Sequence, residues 1–308
     1  MYAWESIEKT LTYIEENLLE EIQTETLANI ASLSPFYFQR LFKRLVRKPV
    51  QEYIKLRRLA KAINELKNTK QRILDVALGY GFSSHANFTR AFKEIYQMTP
   101  EEYRKNLPML NTFDKPEISA NYVLIDENAP LIVGNIVLEI QKRSLKESEI
   151  YLGFEAEIYI SSQIPVGEST GIDVPGQLWQ EFRSKKNIIA DSLYSDVEMG
   201  MSHTANLDKG TFIYFAGGLV NSTNISTNDG MVKQILPAGE YIVCRIEAES
   251  FEELVTTALN QANKYLFETW LKKHELVTQP FSAEKYYKEN AGINCMEIWV
   301  IPMDEIAE

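Results

Sequence analysis

Phe38-Gln-Arg40-Leu-Phe42-Lys43 recurs as Phe88-Thr-Arg90-Ala-Phe92-Lys93, an offset of 50. Tyr53 and Tyr103 keep that offset, whereas Ala31 and Ala77 stand 46 apart, so the second copy carries four more residues in its turn. A repeat of this length means one supersecondary unit used twice. In the second copy a short apolar helix (Ile73, Leu74, Ala77) meets a break at Gly79 and Gly81, where glycine tolerates positive φ. Ser83 or Ser84 can then cap a new helix through a backbone N–H. Phe88, Ala91, Phe92 and Ile95 recur at helical spacing and face inward. His85, Ala86, Thr89, Arg90 and Lys93 are left outside. The first copy begins at Leu27, with Pro35 in the first turn of its second helix, where a missing N–H goes unused. Its outward residues are Phe36, Gln39, Arg40 and Lys43. Short cationic and polar faces on helices braced by a crossing partner suit base edges and phosphates in a major groove.

Between the copies, Glu52 to Leu66 reads as an amphipathic helix with Tyr53, Leu56, Ala60, Ile63 and Leu66 on its apolar side. Such a connector sets the spacing of the two outward faces, which could reach major-groove segments about 34 Å apart. Lys55, Arg57, Arg58 and Lys61 read equally as a phosphate-binding stripe or as a solvated helix face. Ahead of the repeat, residues 4–20 form a further helix with Ile7, Leu11, Ile14 and Leu18 on one stripe. Its acids make it a poor phosphate binder.

Residues 5–107 resemble the AraC/XylS family of transcription regulators. The resemblance rests on Leu33-Ser34-Pro35-Phe36-Tyr37-Phe38-Gln39-Arg40-Leu41-Phe42-Lys43, Tyr53-Ile54-x-x-Arg57-Arg58-Leu59-x-x-Ala62, Gly81-Phe82-Ser83, Phe88-x-Arg90-x-Phe92-Lys93 and Thr99-Pro100-x-x-Tyr103-Arg104. It implies double-stranded DNA as a partner, with base contacts from Phe36, Gln39, Arg40, His85, Thr89 and Arg90. Lys43 and Lys93 complete the expected DNA-facing set. One departure concerns the ends of the outward helices: the family usually places Gly there, and this chain has Arg47 and Gln97.

The charge distribution agrees with a divided molecule. Residues 1–108 hold 17 Lys and Arg against 13 Asp and Glu, net +4, and residues 22–108 alone are +9. The remainder holds 15 against 30, net −15, giving −11 over 308 residues. A basic portion followed by an acidic one suggests a nucleic-acid module joined to something kept off DNA. Cys244 and Cys295 have neither Cys-x-x-Cys spacing nor a neighbouring His, which argues against zinc or a disulfide framework. The start lacks a basic segment followed by an apolar core, so no signal peptide is expected. No uncharged apolar run approaches the roughly 20 residues of a membrane span, and a cytoplasmic location follows.

The division expected is an all-α domain over residues 1–107, a linker over 108–117 marked by Pro108 and Pro116, and an α+β domain over 118–308. Strands are predicted at Tyr122–Ile125, Leu131–Ile140, Tyr151–Ile160, Thr211–Val220, Tyr241–Ile246 and Met296–Ile301, rich in β-branched and aromatic residues. Helices are predicted from Gly176 to Phe182 or Lys186, and from Ser250 to about His274 with Glu252 and Glu253 near its positive end. Residues 221–230 read as a polar turn or mobile loop. Glu297 stands in an apolar strand, and alternation puts it on one face with Trp299. Such a pair is either a solvated sheet face or a receptor for a lipophilic cation.

Several segments of residues 118–305 resemble the GyrI-like effector-binding domain. They are Val174-Pro-Gly-Gln-Leu-Trp179-Gln-Glu-Phe182, Phe212-Ile-Tyr214-Phe-Ala-Gly217, Leu236-Pro-Ala-Gly-Glu-Tyr241, Trp270-Leu271, Phe281-x-x-Glu-Lys-Tyr286 and Met296-Glu297-Ile-Trp299-Val-Ile-Pro302. The resemblance implies two β-α-β-β halves around a groove that takes small, often cationic and apolar, molecules. The expected effector contacts are Trp179, Tyr214, Tyr241, Tyr286, Glu297 and Trp299, with Trp270 as a further wall residue. An extra strand-like piece at 151–160 departs from the family pattern. The combined reading is a DNA-binding regulator with a small-molecule effector, and with RNA polymerase as a further possible partner. No cofactor or metal is expected, and the chain is not expected to be an enzyme. Two alternatives stay open for the second domain: a polymerase- or gyrase-like protein partner, or hydrolysis of a small electrophile by Glu297 with Tyr214 or Tyr286.

Overall fold

The computed structural model describes residues 3–68, 70–162, 170–187, 189, 193–220, 230–287 and 294–303. Two compact units make up the chain: Met1–Tyr122 with Gly167–Ile172, and Val123–Val166 with Asp173–Glu308.

The first unit is helical. The elements are α1 (Ala3–Glu16), α2 (Thr24–Ile30), α3 (Pro35–Val46), α4 (Val50–Asn68), α5 (Ile73–Gly79), α6 (His85–Tyr96) and α7 (Pro100–Asn106). Each outward helix starts on a serine. Ser34 accepts from the Tyr37 N–H and Ser84 from the Asn87 N–H, each satisfying one donor of an otherwise open helix end. Thr99 and Glu102 form a reciprocal capping box at α7. Arg47 and Gln97 hold the left-handed conformation a glycine usually supplies, with φ of 62° and 58°. The family's helix stop is therefore kept without its residue.

Two apolar cores share α4. Tyr53, Ile54 and Leu56 join Ile7, Leu11, Leu27, Phe38 and Phe42 in one. Leu59, Ala62, Ile63 and Leu66 join Val76, Ala77, Phe88, Phe92 and Tyr103 in the other. A 19-residue helix is about 28 Å long, enough for each end to serve one helix-turn-helix.

Part of the α4 charge is structural. Arg57 is buried and pairs with Glu15 of α1 at 2.8 Å while also donating to the Phe113 carbonyl. Arg58 donates to the Leu18 and Glu20 carbonyls. These two arginines belong neither to a phosphate stripe nor to a solvated face. The proline-marked segment also differs from a free connector. Phe113 and Ile118 sit in the first core, and β1 (Leu110–Asn111) pairs with β5 (Gly171–Ile172).

The second unit is built on one nine-stranded antiparallel sheet. Its strands are β2 (Leu131–Val133), β3 (Ile136–Leu145), β4 (Glu149–Tyr159), β6 (Leu193–Asn206), β7 (Thr211–Val220), β8 (Val232–Leu236), β9 (Gly239–Ala248), β10 (Ser282–Tyr287) and β11 (Asn294–Val300). They lie in the order β2-β3-β9-β11-β10-β6-β7-β4-β8. Helix α8 (Val174–Lys185) and a helical run over 251–273 complete it, the run containing π-helical turns at Leu254–Ala258 and Tyr265–Trp270. The order resolves into two equivalent halves. β4-α8-β6-β7 places β7 between β4 and β6, and β9-helix-β10-β11 places β11 between β9 and β10. The halves meet along β6 and β10, Gly200 opposite Glu284. The predicted pair of β-α-β-β halves is present.

Three strands escape the sequence pattern: β6, β8 and β10 mix charged and polar residues into their runs. The strand expected over Leu131–Ile140 turns at Gly134 (φ 59°) into the hairpin β2–β3. Tyr122–Ile125 is not a strand. Instead the Ile125 N–H donates to the Tyr265 hydroxyl and the Trp270 indole donates to the Ile125 carbonyl, pinning this segment to the helical run. The loop reading of residues 221–230 falls, except for Gly230, outside the described residues.

Candidate functional site

On α3, Gln39, Arg40 and Lys43 are exposed, and Phe36 is 70 % exposed with the Arg40 guanidinium 5.8 Å above its ring. Tyr37 beside Phe36 is exposed too, and an apolar patch rimmed by basic residues fits a contact face. On α6, Arg90 and Lys93 are exposed. His85 is half-buried, and its Nε2 lies 2.9 Å from Glu101 of α7. Thr89 is less available than its outward spacing suggests. Its hydroxyl is buried and has no hydrogen-bond partner among the described residues.

The six expected effector contacts divide between the two faces of the sheet. Alternation along β10 and β11 puts Glu284 and Tyr286 on one face and Lys285 and Glu297 on the other.

The first face carries both helices. α8 packs on β7 and β4, and the run 251–273 packs on β9 and β11, so β6 and β10 form the floor of a trough between them. Trp179 of α8 donates through its indole to the Tyr214 hydroxyl at 3.0 Å, and Tyr214 donates to Glu284 Oε2 at 3.1 Å. Tyr286 donates to the same oxygen at 2.9 Å. The Trp179 and Tyr286 rings meet edge to face at 5.2 Å, and Phe251 of the helical run lies 6.5 Å from Tyr286. Gly200 leaves the room that the Tyr214 hydroxyl and Glu284 occupy: a Cβ there would lie 2.3 Å from that hydroxyl and 3.1 Å from Glu284 Oε2. Burial raises the Glu284 carboxyl above its usual range, partly offset by the Tyr286 and Tyr214 hydrogen bonds. Burial, and then the Glu284 charge, drive the Tyr214 and Tyr286 hydroxyls well above theirs. Both tyrosines stay protonated donors at neutral pH. Among the described residues, no Lys, Arg or His lies within ion-pair distance of Glu284. It is a carboxylate in an aromatic setting without a resident counter-ion.

The opposite face is internally neutralised. Glu297 accepts both of its 2.9 Å contacts with Arg143, the Tyr287 hydroxyl at 2.6 Å and the Trp299 indole at 2.9 Å. Lys285 pairs with Glu149 at 2.8 Å. Both the Arg143 and Lys285 cations stack on the Trp299 ring, at 5.2 and 4.6 Å. Tyr241 packs on Trp299 at 5.1 Å, and its hydroxyl donates to the Pro237 carbonyl. Lys285 and Glu149 reach each other from strands with two others between them. With Trp299, Lys285 and Glu297 all buried, the sheet curls around this cluster.

Glu297, Trp299 and Tyr241 therefore do not share a site with Trp179, Tyr214 and Tyr286. Trp270 joins neither, being tied to Ile125. The carboxylate beside the latter three is Glu284, which the sequence reading passed over. The signal was alternation in Glu284-Lys-Tyr286, which places that acid on the tyrosine's face. It was masked because strand β10 itself was not recognised.

A DNA-facing pair of helix-turn-helix units and a two-half α+β domain with an acidic aromatic trough define the class: a regulator-type chain with an attached effector-binding domain. Residues 148–302, half of the chain, match the integron-associated effector binding protein family, and residues 27–106 match a helix-turn-helix domain family. The chain belongs to the former family through its second domain and carries an AraC-type helix-turn-helix domain in front of it. The uncharacterized HTH-type transcriptional regulator YbfP of Bacillus subtilis is 45% identical over 104 residues, 34% of this chain and 35% of that protein. The transcriptional regulator Rob of Salmonella typhimurium is 37% identical over 100 residues, 32% of this chain and 35% of that one. The matched region thus spans about a third of either relative's length. An integron cassette protein from the mobile metagenome of Vibrio cholerae covers 55% of this chain and 99% of its own, at 14% identity and a TM-score of 0.39. Among the described residues no helix is long and apolar enough to cross a membrane.

Proposed function

We propose that this chain is a sequence-specific DNA-binding transcription regulator whose second domain senses a small lipophilic cation in the trough over Glu284. The observation that carries the sensing half is a half-buried carboxylate held by two tyrosine hydroxyls, with Trp179, Tyr286 and Phe251 around it and, among the described residues, no cation paired to it. Charge and cation–π attraction then act on the same ligand. Two exposed arginines at repeat-equivalent positions support the DNA half, as do relatives whose names describe transcription regulators.

DNA binding is tested by mobility shift on a promoter fragment selected by the wild-type chain. Arg40→Ala and Arg90→Ala should each weaken binding by about 1–3 kcal/mol, and the affinity should fall steeply with salt as counter-ions are released. An unchanged shift from the double variant defeats this assignment. Sensing is tested by calorimetry of the full chain with tetraphenylphosphonium. Glu284→Gln should weaken binding at least tenfold. Equal binding by wild type and Glu284→Gln would remove the trough as the site.

A further inference from the structure

The aromatic walls of the trough are already in contact with a cation, and it is the protein's own. Arg183 stands in the last turn of α8. Its guanidinium carbon lies 5.4 Å from the Trp179 ring and 5.4 Å from the Phe251 ring. One ring belongs to α8 and the other to the start of the opposite helical run, so the guanidinium bridges the two walls. Tyr286, in contact with both rings, forms the base. The Arg183 side chain is 46 % exposed, and its charge partner is Glu198 of β6 at a loose 3.9 Å. Glu198 also holds Lys186 at 3.1 Å.

We propose that Arg183 is a resident, displaceable ligand of this aromatic cage, and that an incoming cation must compete with it. The inference rests on the trough reading above. A guanidinium and an organic cation use the same resource, the negative faces of Trp179 and Phe251, and both cannot hold them at once. Swinging out is cheap in charge terms. The guanidinium is already half in solvent, and Glu198 keeps Lys186 when Arg183 leaves. Selectivity follows. A small, strongly hydrated cation gains too little from the rings to expel the arginine, whereas a bulky apolar cation gains ring contact and Glu284 together. Arg183 and Tyr286 both contact rings from the two helices, so displacement of Arg183 removes one of two such links and couples occupancy of the trough to the hold of α8 on the helical run.

The test is calorimetric titration of the full chain with tetraphenylphosphonium, comparing wild type, Arg183→Gln and Arg183→Lys at low salt and at about 0.5 M salt, where charge effects beyond a few ångströms are screened. Arg183→Gln should bind about tenfold tighter than wild type, in the range of a lost cation–π competitor, and the gain should persist at high salt. Arg183→Lys, which keeps the charge but not the planar stack, should fall between the two. Arg183→Gln binding no tighter than wild type, or a gain that vanishes at high salt, would overturn the competition, since the second result is plain charge repulsion. If wild type binds in a Glu284-dependent manner in either case, the trough reading stands and only the role of Arg183 falls. If neither wild type nor Arg183→Gln binds, both fall.

Discussion

Glu284 is the residue on which the proposed sensing turns, and its environment gives its pH behaviour a sign. Burial raises its carboxyl, the tyrosine hydrogen bonds opposing that. A cation needs the ionised form, so affinity for tetraphenylphosphonium should be weak below the raised value and climb as pH passes through it; Glu284→Gln should flatten the profile. Stability moves the other way. A carboxyl with a raised folded value contributes its stability at pH below the unfolded value and loses it as pH rises through the folded one. Glu284→Gln should therefore melt higher than wild type at neutral pH and no higher near pH 4, a comparison that thermal denaturation reads directly. Gly200 is the matching steric residue. Gly200→Ala puts a methyl 2.3 Å from the Tyr214 hydroxyl, and should cost about 1–3 kcal/mol of stability together with most of the cation affinity. Thr89 offers a contrast on α6. Its buried hydroxyl lacks a partner among the described residues, so Thr89→Val should be neutral or stabilising by about 1 kcal/mol.

At the scale of elements, the helix ends and the α1–α4 contact decide how firmly the first unit is set. Arg47 and Gln97 stop α3 and α6 in the left-handed region, which costs a residue with a Cβ about 1 kcal/mol or more. Arg47→Gly and Gln97→Gly should each stabilise by up to about 1 kcal/mol in chemical denaturation, less whatever the glycine's extra unfolded-state freedom removes. The Glu15–Arg57 pair acts in the opposite sense. Burial pushes the Glu15 carboxyl up, but the hydrogen bond and charge of Arg57 outweigh it and hold the carboxyl below its usual range. Such a group stabilises at pH above its unfolded value, and the contribution is lost as pH falls through the folded value. Glu15→Ala should cost about 3 kcal/mol at pH 7, because Arg57 is left buried without its partner, and progressively less as pH falls through the lowered value of the folded carboxyl. The Glu15–Arg57 pair could not be anticipated from the local pattern. The acids of α1 and the basic run of α4 each read as ordinary helix surface until the crossing of the two helices brings Glu15 to Arg57.

At the scale of the whole molecule, the chain sets a basic repeat before an acidic sheet domain, and the two parts were legible to different depths. Local signals carried the first. The offset of 50 between Arg40 and Arg90, serines at both helix starts and the 3.6-residue apolar rhythm each act within a few residues, so helix limits and the outward arginines could be read directly. The second domain yielded its α+β class and six of its nine strands, β2 and β3 read as one, because β-branched and aromatic runs are local too; its two halves were implied only by the family resemblance. It did not yield its site. Which acid faces the aromatic residues is set by the alternation of β10 and its antiparallel register with β6 and β11, a pairing between segments up to 90 positions apart in the chain, Tyr287 opposite Val197. A shift of one residue in that register would exchange Glu284 for Lys285 in the trough. Composition and short-range periodicity therefore determined what kinds of domain the chain forms and where the exposed arginines of α3 and α6 stand. Tertiary pairing alone decided that Glu297 is quenched by Arg143 while Glu284 has no counter-ion among the described residues, since charge neutralisation depends on distances that no local stretch of sequence encodes.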